Sequence, residues 1–185
     1  MTGRLPGPPV PADEETRKLL DPYRLPDGRP LALFQVLAHS RAALDDLRRA
    51  TSACLKGIAL DARTREIAVL RICARAAAEA EWAVHVEMFA AEAELTEDEV
   101  RATGTRGVWR GWSARDALVV RLADEIHGGC TVSDGLWAGL ADEYTPREIV
   151  ELLLVVTQYL KVACLTNALG LPAPEGLPRL PHDLD

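Results

Sequence analysis

Proline placement constrains this chain more than any other feature. Of 12 prolines, seven (residues 6, 8, 9, 11, 22, 26 and 30) precede residue 31, and four (172, 174, 178 and 181) follow residue 170. Only Pro146 interrupts the 140-odd residues between. A proline inside a helix removes a backbone donor and clashes with the preceding turn. The middle of the chain therefore reads as helical, and the ends as irregular arms that stay mobile or wrap a neighbouring subunit. Three regions follow: an N-terminal arm over 1–30, a helical domain over 31–170 and a C-terminal tail over 171–185.

Start and stop signals divide the middle. Leu31–Leu37 reads as a short helix and Arg41–Leu55 as a longer one closed by Gly57. Asp61 or Thr64 caps a helix starting near Arg63. Thr96 to Glu99 spells a capping box, and Ser113 to Asp116 opens another helix that stops at Gly128-Gly129. Ser133 starts a short helix to about Tyr144, and Thr145-Pro146-Arg147-Glu148 caps a last one running to Gly170. Between Arg63 and Ala93 no Gly or Pro occurs, so periodicity alone predicts one long helix. Arg65-Glu66-Ile67-x-x-Leu70 recurs as Arg147-Glu148-Ile149-x-x-Leu152, which suggests two helical hairpins of similar build, with Asn167 in the register of His85.

The whole reads as one all-α domain. Hydrophobic residues make up 48% and aromatics only 5%, so Ala and Leu carry the core, as packed helices allow. The net charge of −7 disfavours nucleic acid or an anionic membrane as partner. No uncharged apolar run of bilayer-spanning length is seen, and the N-terminus has no apolar signal region. Cys54, Cys73, Cys130 and Cys164 are widely spaced and form no Cys-x-x-Cys, so buried, reduced thiols in a cytoplasmic protein are expected.

One cluster of residues bears chemistry. Glu81 and His85 lie four apart, on one helical face. Glu66 precedes them by 15 and 19 residues. By residue type alone, Glu66 reads better as a capping or salt-bridging group beside Arg63 and Arg65, and Glu81–His85 as a solvated pair. Trp82, Met88, Phe89, Trp137 and Tyr159 are candidate pocket walls. Trp82 and Tyr159 are favoured, and Asn167 is a third candidate substrate-binding residue. Asp124-x-x-His127 and Glu81-x-x-x-His85 are single carboxylate–imidazole pairs, too few for a di-metal site, so no metal is expected. Phosphate-loop and dinucleotide motifs do not occur.

The run from Glu66 through Glu79-Ala-Glu-Trp-Ala-Val-His85 resembles the alkylhydroperoxidase D pattern Glu-x11-Cys-x2-Cys-x3-His, with Ala78 and Glu81 at the two cysteine positions. It is similar to the carboxymuconolactone decarboxylase branch of that superfamily, over about residues 31–170. The resemblance implies a helical domain with a central hairpin, broken near Ala76–Glu79, and a homo-oligomer, dimer or trimer. The small-residue face of Ala74, Ala77 and Ala78 would suit close helix approach. It implies a cofactor-free lyase that decarboxylates a small carboxylated lactone or related metabolite, with Glu66, Glu81 and His85 catalytic. His85 would be proton donor or oxyanion partner, Glu66 its orienting base, and one of Arg63, Arg71 and Arg75 would grip the substrate. An isomerase or hydratase of the same fold, and a non-catalytic binding module, are the alternatives. With both motif cysteines absent, peroxidase activity is disfavoured.

Overall fold

Six helices begin where a short polar side chain holds the first turn. Asp61 accepts from the backbone N–H of Thr64 at 2.7 Å. Thr96 and Thr145 form reciprocal capping boxes with Glu99 and Glu148, and Ser40, Ser113 and Ser133 cap three more helices. The computed structural model describes residues 3–6 and 14–181. Nine helices occur among them: α1 Glu14–Leu20, α2 Ala32–Leu37, α3 Arg41–Lys56, α4 Ala62–Arg75, α5 Glu79–Phe89, α6 Glu97–Thr103, α7 Ala114–Gly129, α8 Asp134–Glu143 and α9 Pro146–Ala168. No named β-strand occurs among the described residues, and the fold is all-α.

Helix α4 is the axle. Every residue from Thr64 to Ala74 is buried, because α4 packs against α5, α7 and α9 at once. Ile67, Leu70 and Ile72 meet Val119, Leu122, Leu152 and Val155 in one core. A helix enclosed on all sides has no solvated stripe. Helix α9 is long and apolar enough to cross a bilayer by length and composition. It is also a core helix, burying Leu152, Val155, Val156, Tyr159 and Val162.

The chain turns back between α4 and α5, as the family resemblance implied. The N–H of Ala78 donates to Cys73 O (2.8 Å) and that of Ala77 to Ala74 O (2.9 Å). This closes the helix with a Schellman motif whose left-handed residue is Ala77, at φ 51°. Glycine usually fills that position, so the sequence hid the turn. Asn167, at the end of α9, donates its side-chain N–H to Ala76 O at 2.7 Å and ties the turn to the core.

Several expectations are corrected. The stretch before residue 31 contains helix α1, and Leu20, Tyr23 and Leu25 pack inward, because apolar side chains there find the open edge of α2 and α3. Pro8, Pro9, Pro11 and His182 lie outside the described residues. The repeat does not mark a second hairpin. α9 runs unbroken for 23 residues, and Glu148 serves its capping box while Glu66 lies in the core. Ala74 and Ala78 are fully buried within the chain by the α4–α5 turn, so they offer no face to a second subunit.

Candidate active site

The hairpin brings Glu66, on α4, directly against His85, on α5. Glu66 Oε2 lies 2.7 Å from His85 Nδ1, with no water between them. Both residues are buried, at 0% and 3% exposure. The second Glu66 oxygen, Oε1, accepts from Arg65 Nε at 2.7 Å. Glu81, one turn before His85 on α5, places Oε1 3.7 Å from His85 Nε2. The ring of Tyr159, from α9, stands edge-on to the imidazole with centroids 4.8 Å apart, and Phe89 lies 5.0 Å away on the same helix as His85. Arg65, Glu66, His85 and Glu81 thus form a chain of alternating charge ending at a carboxyl.

Electrostatics sets the protons along this chain. Burial alone would lift the Glu66 pKa, but the His85 ring and the Arg65 guanidinium outweigh it and hold Glu66 ionised. Burial alone would lower the His85 pKa, but Glu66 outweighs it and holds the imidazole charged to higher pH. Glu81 goes the other way. Burial raises its pKa and the nearby Glu66 charge adds to that, against a partial pull from His85. The site therefore holds two carboxyl groups pushed apart: one kept ionised, one inclined to keep its proton.

These side chains open onto a cavity of about 440 Å³. Arg65, Glu81, His85 and Tyr159 line it, with Met88 and Phe89 of α5, Leu47 and Thr51 of α3, and Phe34 of α2. Tyr23 stacks on Phe34 at 3.8 Å and closes one wall, so the stretch expected to be a free arm shapes the site. Glu81 also lines a neighbouring cavity of about 590 Å³, bounded by Ala80, Thr166, Pro172 and Arg179. Leu31, Leu33, Phe34 and Val84 border both.

The structure unites Glu66, Glu81, His85 and Tyr159 and leaves two candidates elsewhere. Trp82 is buried on the opposite side of α5, where its indole N–H donates to Thr103 Oγ1 at 3.0 Å. Asn167 is exposed and spent on the α4–α5 turn. Of the wider aromatic set, Met88 and Phe89 line the cavity while Trp137 lies exposed on α8. The three arginines named for substrate carboxylate are committed: Arg63 to Glu99 and Asp116, Arg71 to Asp124 and three backbone carbonyls, Arg75 to Asp124. Arg65 is the arginine at the cavity, where the sequence marks it only as a neighbour of Glu66. Its signal is adjacency: a carboxylate in a fully buried helix needs a counter-charge, and Arg65 is the neighbouring cation. Asp124, bound by two arginines, is not free to ligate a metal with His127. Among the described residues no group of three or more His, Cys, Asp or Glu side chains is placed to hold one.

The cysteines split in two. Cys130 and Cys164 are exposed. Cys54 and Cys73 are fully buried, and burial pushes Cys54 up to about 11 and Cys73 well above the ordinary thiol value. Glu81 and Glu66 oppose ionisation of Cys73 further.

No protein-family model matches this chain, and no curated protein matches it. A solved structure does: an uncharacterized peroxidase-related protein with an alkylhydroperoxidase AhpD core, from Ralstonia eutropha JMP134. The two chains are 14% identical and superpose with a TM-score of 0.74, over 95% of this chain and 94% of that one. At that identity the likeness establishes the fold.

Proposed function

We propose that this chain, whose fold is that of the alkylhydroperoxidase D core, is a cofactor-free lyase that moves a proton on a small carboxylated metabolite, with decarboxylation as the reaction. The observation that carries the reading is the buried Glu66–His85 contact with the Glu81 carboxyl beside the imidazole at the cavity wall, where burial and the Glu66 charge raise its pKa. Loss of carbon dioxide leaves a carbanion that a positioned acid must protonate. Glu81 is that acid. Charged His85 sits beside it, stabilises the carboxylate Glu81 becomes, and lends positive charge to a developing oxyanion. Glu66 orients the imidazole and keeps it protonated. Arg65 supplies the cation for a substrate carboxylate at the cavity wall. Glu81 recovers its proton through the neighbouring cavity, which its side chain also borders at 18% exposure.

A thiol peroxidase reading finds no support in these cysteines. It needs a low-pKa thiolate with a resolving partner. Glu81 occupies one motif position and fully buried Ala78 the other, and the two buried thiols are held protonated. The testing experiment assays carbon dioxide release from a panel of carboxylated lactones and β-keto acids with the wild-type chain, Glu81→Gln and His85→Gln. Turnover lost in both variants, with folding retained, supports the reading. Turnover unchanged in Glu81→Gln, or no turnover of any member, sinks it.

A further inference from the structure

Arg65, at the wall of the cavity beside His85, has one donor unspent. Its side chain is only 8% exposed. Nε donates to Glu66 Oε1 at 2.7 Å and Nη1 to the Leu55 carbonyl at 3.4 Å. Nη2 has no hydrogen-bond partner among the described residues, yet it is not one of the polar atoms sealed from water. Across from it stands Glu92, with Oε1 at 4.0 Å, beyond hydrogen-bond range. A guanidinium cannot lose its charge. Glu66 shares its own charge between Arg65 and His85, so it leaves Arg65 incompletely neutralised. Phe89 lies under the guanidinium, 5.8 Å from Cζ to the ring centroid.

Glu92 is built to be displaced. It lines the same cavity, and its side chain is 65% exposed in the turn that closes α5. The backbone of that turn is pinned. Leu95 N–H donates to Ala90 O at 3.0 Å and Glu94 N–H to Ala91 O at 3.1 Å, around a left-handed Glu94. The carboxylate of Glu92 therefore moves by side-chain rotation on a fixed turn. An ion pair so exposed and so long is weak. A ligand carboxylate within reach of Nη2 forms a charge-assisted hydrogen bond that Glu92 does not make.

We propose that Glu92 is a specificity-determining residue of this cavity: it stands in the approach to Arg65 Nη2, and a ligand carboxylate binds there by taking its place. The inference rests on the reading of Arg65 as the cation for a substrate carboxylate. Two carboxylates at one guanidinium repel each other, so Glu92 weakens every anionic ligand and leaves uncharged ones alone. Its removal changes binding and not the chemistry at Glu81 and His85, which lie on the far side of Glu66 from Nη2.

The experiment titrates the full chain with butanoate and with butanamide, its uncharged counterpart. The reporter is the carbon-13 methyl signal of Met88, which lines the cavity and is one of two methionines. The expected result is a saturable shift with butanoate, and an affinity at least about tenfold lower for butanamide, as a hydrogen bond to a charged group allows. Glu92→Gln should tighten butanoate about threefold, the scale of an exposed charge contact, and leave butanamide unchanged. Glu87→Gln removes the same charge from an exposed position of α5 outside the cavity lining and should change neither. On any acid that releases carbon dioxide, Glu92→Gln should lower KM about threefold at unchanged kcat. Butanoate affinity unchanged in Glu92→Gln, or raised equally in Glu87→Gln, overturns the assignment of Glu92 and leaves the lyase reading standing. Equal binding of butanoate and butanamide overturns the carboxylate position at Arg65 as well. The expected binding pattern with no carbon dioxide from any acid upholds this inference and sinks the lyase reading.

Discussion

Glu66 and His85 touch directly, Oε2 to Nδ1 at 2.7 Å, although 19 residues and a tight turn separate them. The contact is enclosed, with the charge of Arg65 at its far end. Enclosure makes the pair strong, and makes it structural as well as chemical: a cleft residue half open to water would contribute little to packing, whereas these two contribute much.

His85→Ala should therefore lower both activity and stability. Turnover should fall about 10²–10⁴-fold if His85 serves proton transfer. Breaking a buried pair by removing one partner costs about 3 kcal/mol or more, softened here because Arg65 still faces Glu66. The protein should still fold, since domain stabilities are typically about 5–15 kcal/mol. Carbon dioxide release per folded molecule measures the first quantity, and urea unfolding followed by circular dichroism the second. Unchanged specific activity in the folded fraction would make the histidine purely structural.

Glu81→Gln should trade activity for stability as pH rises. The folded pKa of Glu81 lies above its value of 4.5 in a free chain. Above about pH 4.5 the unfolded chain releases this proton while the folded one retains it, so stability falls as pH rises toward the folded pKa. The glutamine amide has no such proton to release. Thermal melts should show the variant gaining on wild type as pH rises above 4.5. A constant difference across that range would mean Glu81 titrates normally.

The Glu66–His85 pair makes the converse prediction at the two ends of the pH scale. The lowered Glu66 pKa gives stability that is complete above its free value of 4.5 and lost as pH falls through the folded pKa. The raised His85 pKa gives stability that is complete below its free value of 6.5 and lost as pH rises through the folded pKa. Glu66→Gln should flatten both limbs of the urea midpoint plotted against pH. An unaltered curve would assign them to other groups.

Thiol chemistry should divide two and two. Cys130 and Cys164 should react with a thiol reagent in the native protein, and Cys54 and Cys73 only on unfolding, because the latter are buried and held protonated. Native alkylation should leave turnover intact, and no thiol-dependent reduction of an organic hydroperoxide should be seen. Robust peroxide turnover abolished by alkylation would contradict both statements.

Ala77→Gly should stabilise the protein, against the usual direction of Ala to Gly. The left-handed conformation costs a residue with a Cβ about 1–2 kcal/mol. Glycine's extra freedom in the unfolded chain takes back about 0.5–1 kcal/mol. The melting temperature should rise by about 2 °C, at a few degrees per kcal/mol for a chain of this size. A fall would show that the turn is not strained.

Much of the fold was legible in the residues because capping is local. Asp61, Thr96, Ser113, Ser133 and Thr145 each hold a backbone N–H three residues on, and each marks a helix start in the sequence as in the structure. The α4–α5 break was not legible, since its Schellman turn is carried by alanine and by a bond from Asn167, 91 positions away. Only the comparison of spacing with a known pattern located it. The acid–imidazole contact followed once that turn was placed. Trp82 and Asn167 went wrong because nearness in sequence or register does not say which side of a helix is already occupied. Arg65 and Tyr23 entered the site only through packing. By itself the sequence determined where helices begin, how apolar they are and which titratable residues are available, because those depend on neighbours a few bonds away. Which of those residues lose their water, and which charges then face each other, was decided by the tertiary structure, because desolvation depends on chain segments far apart in sequence.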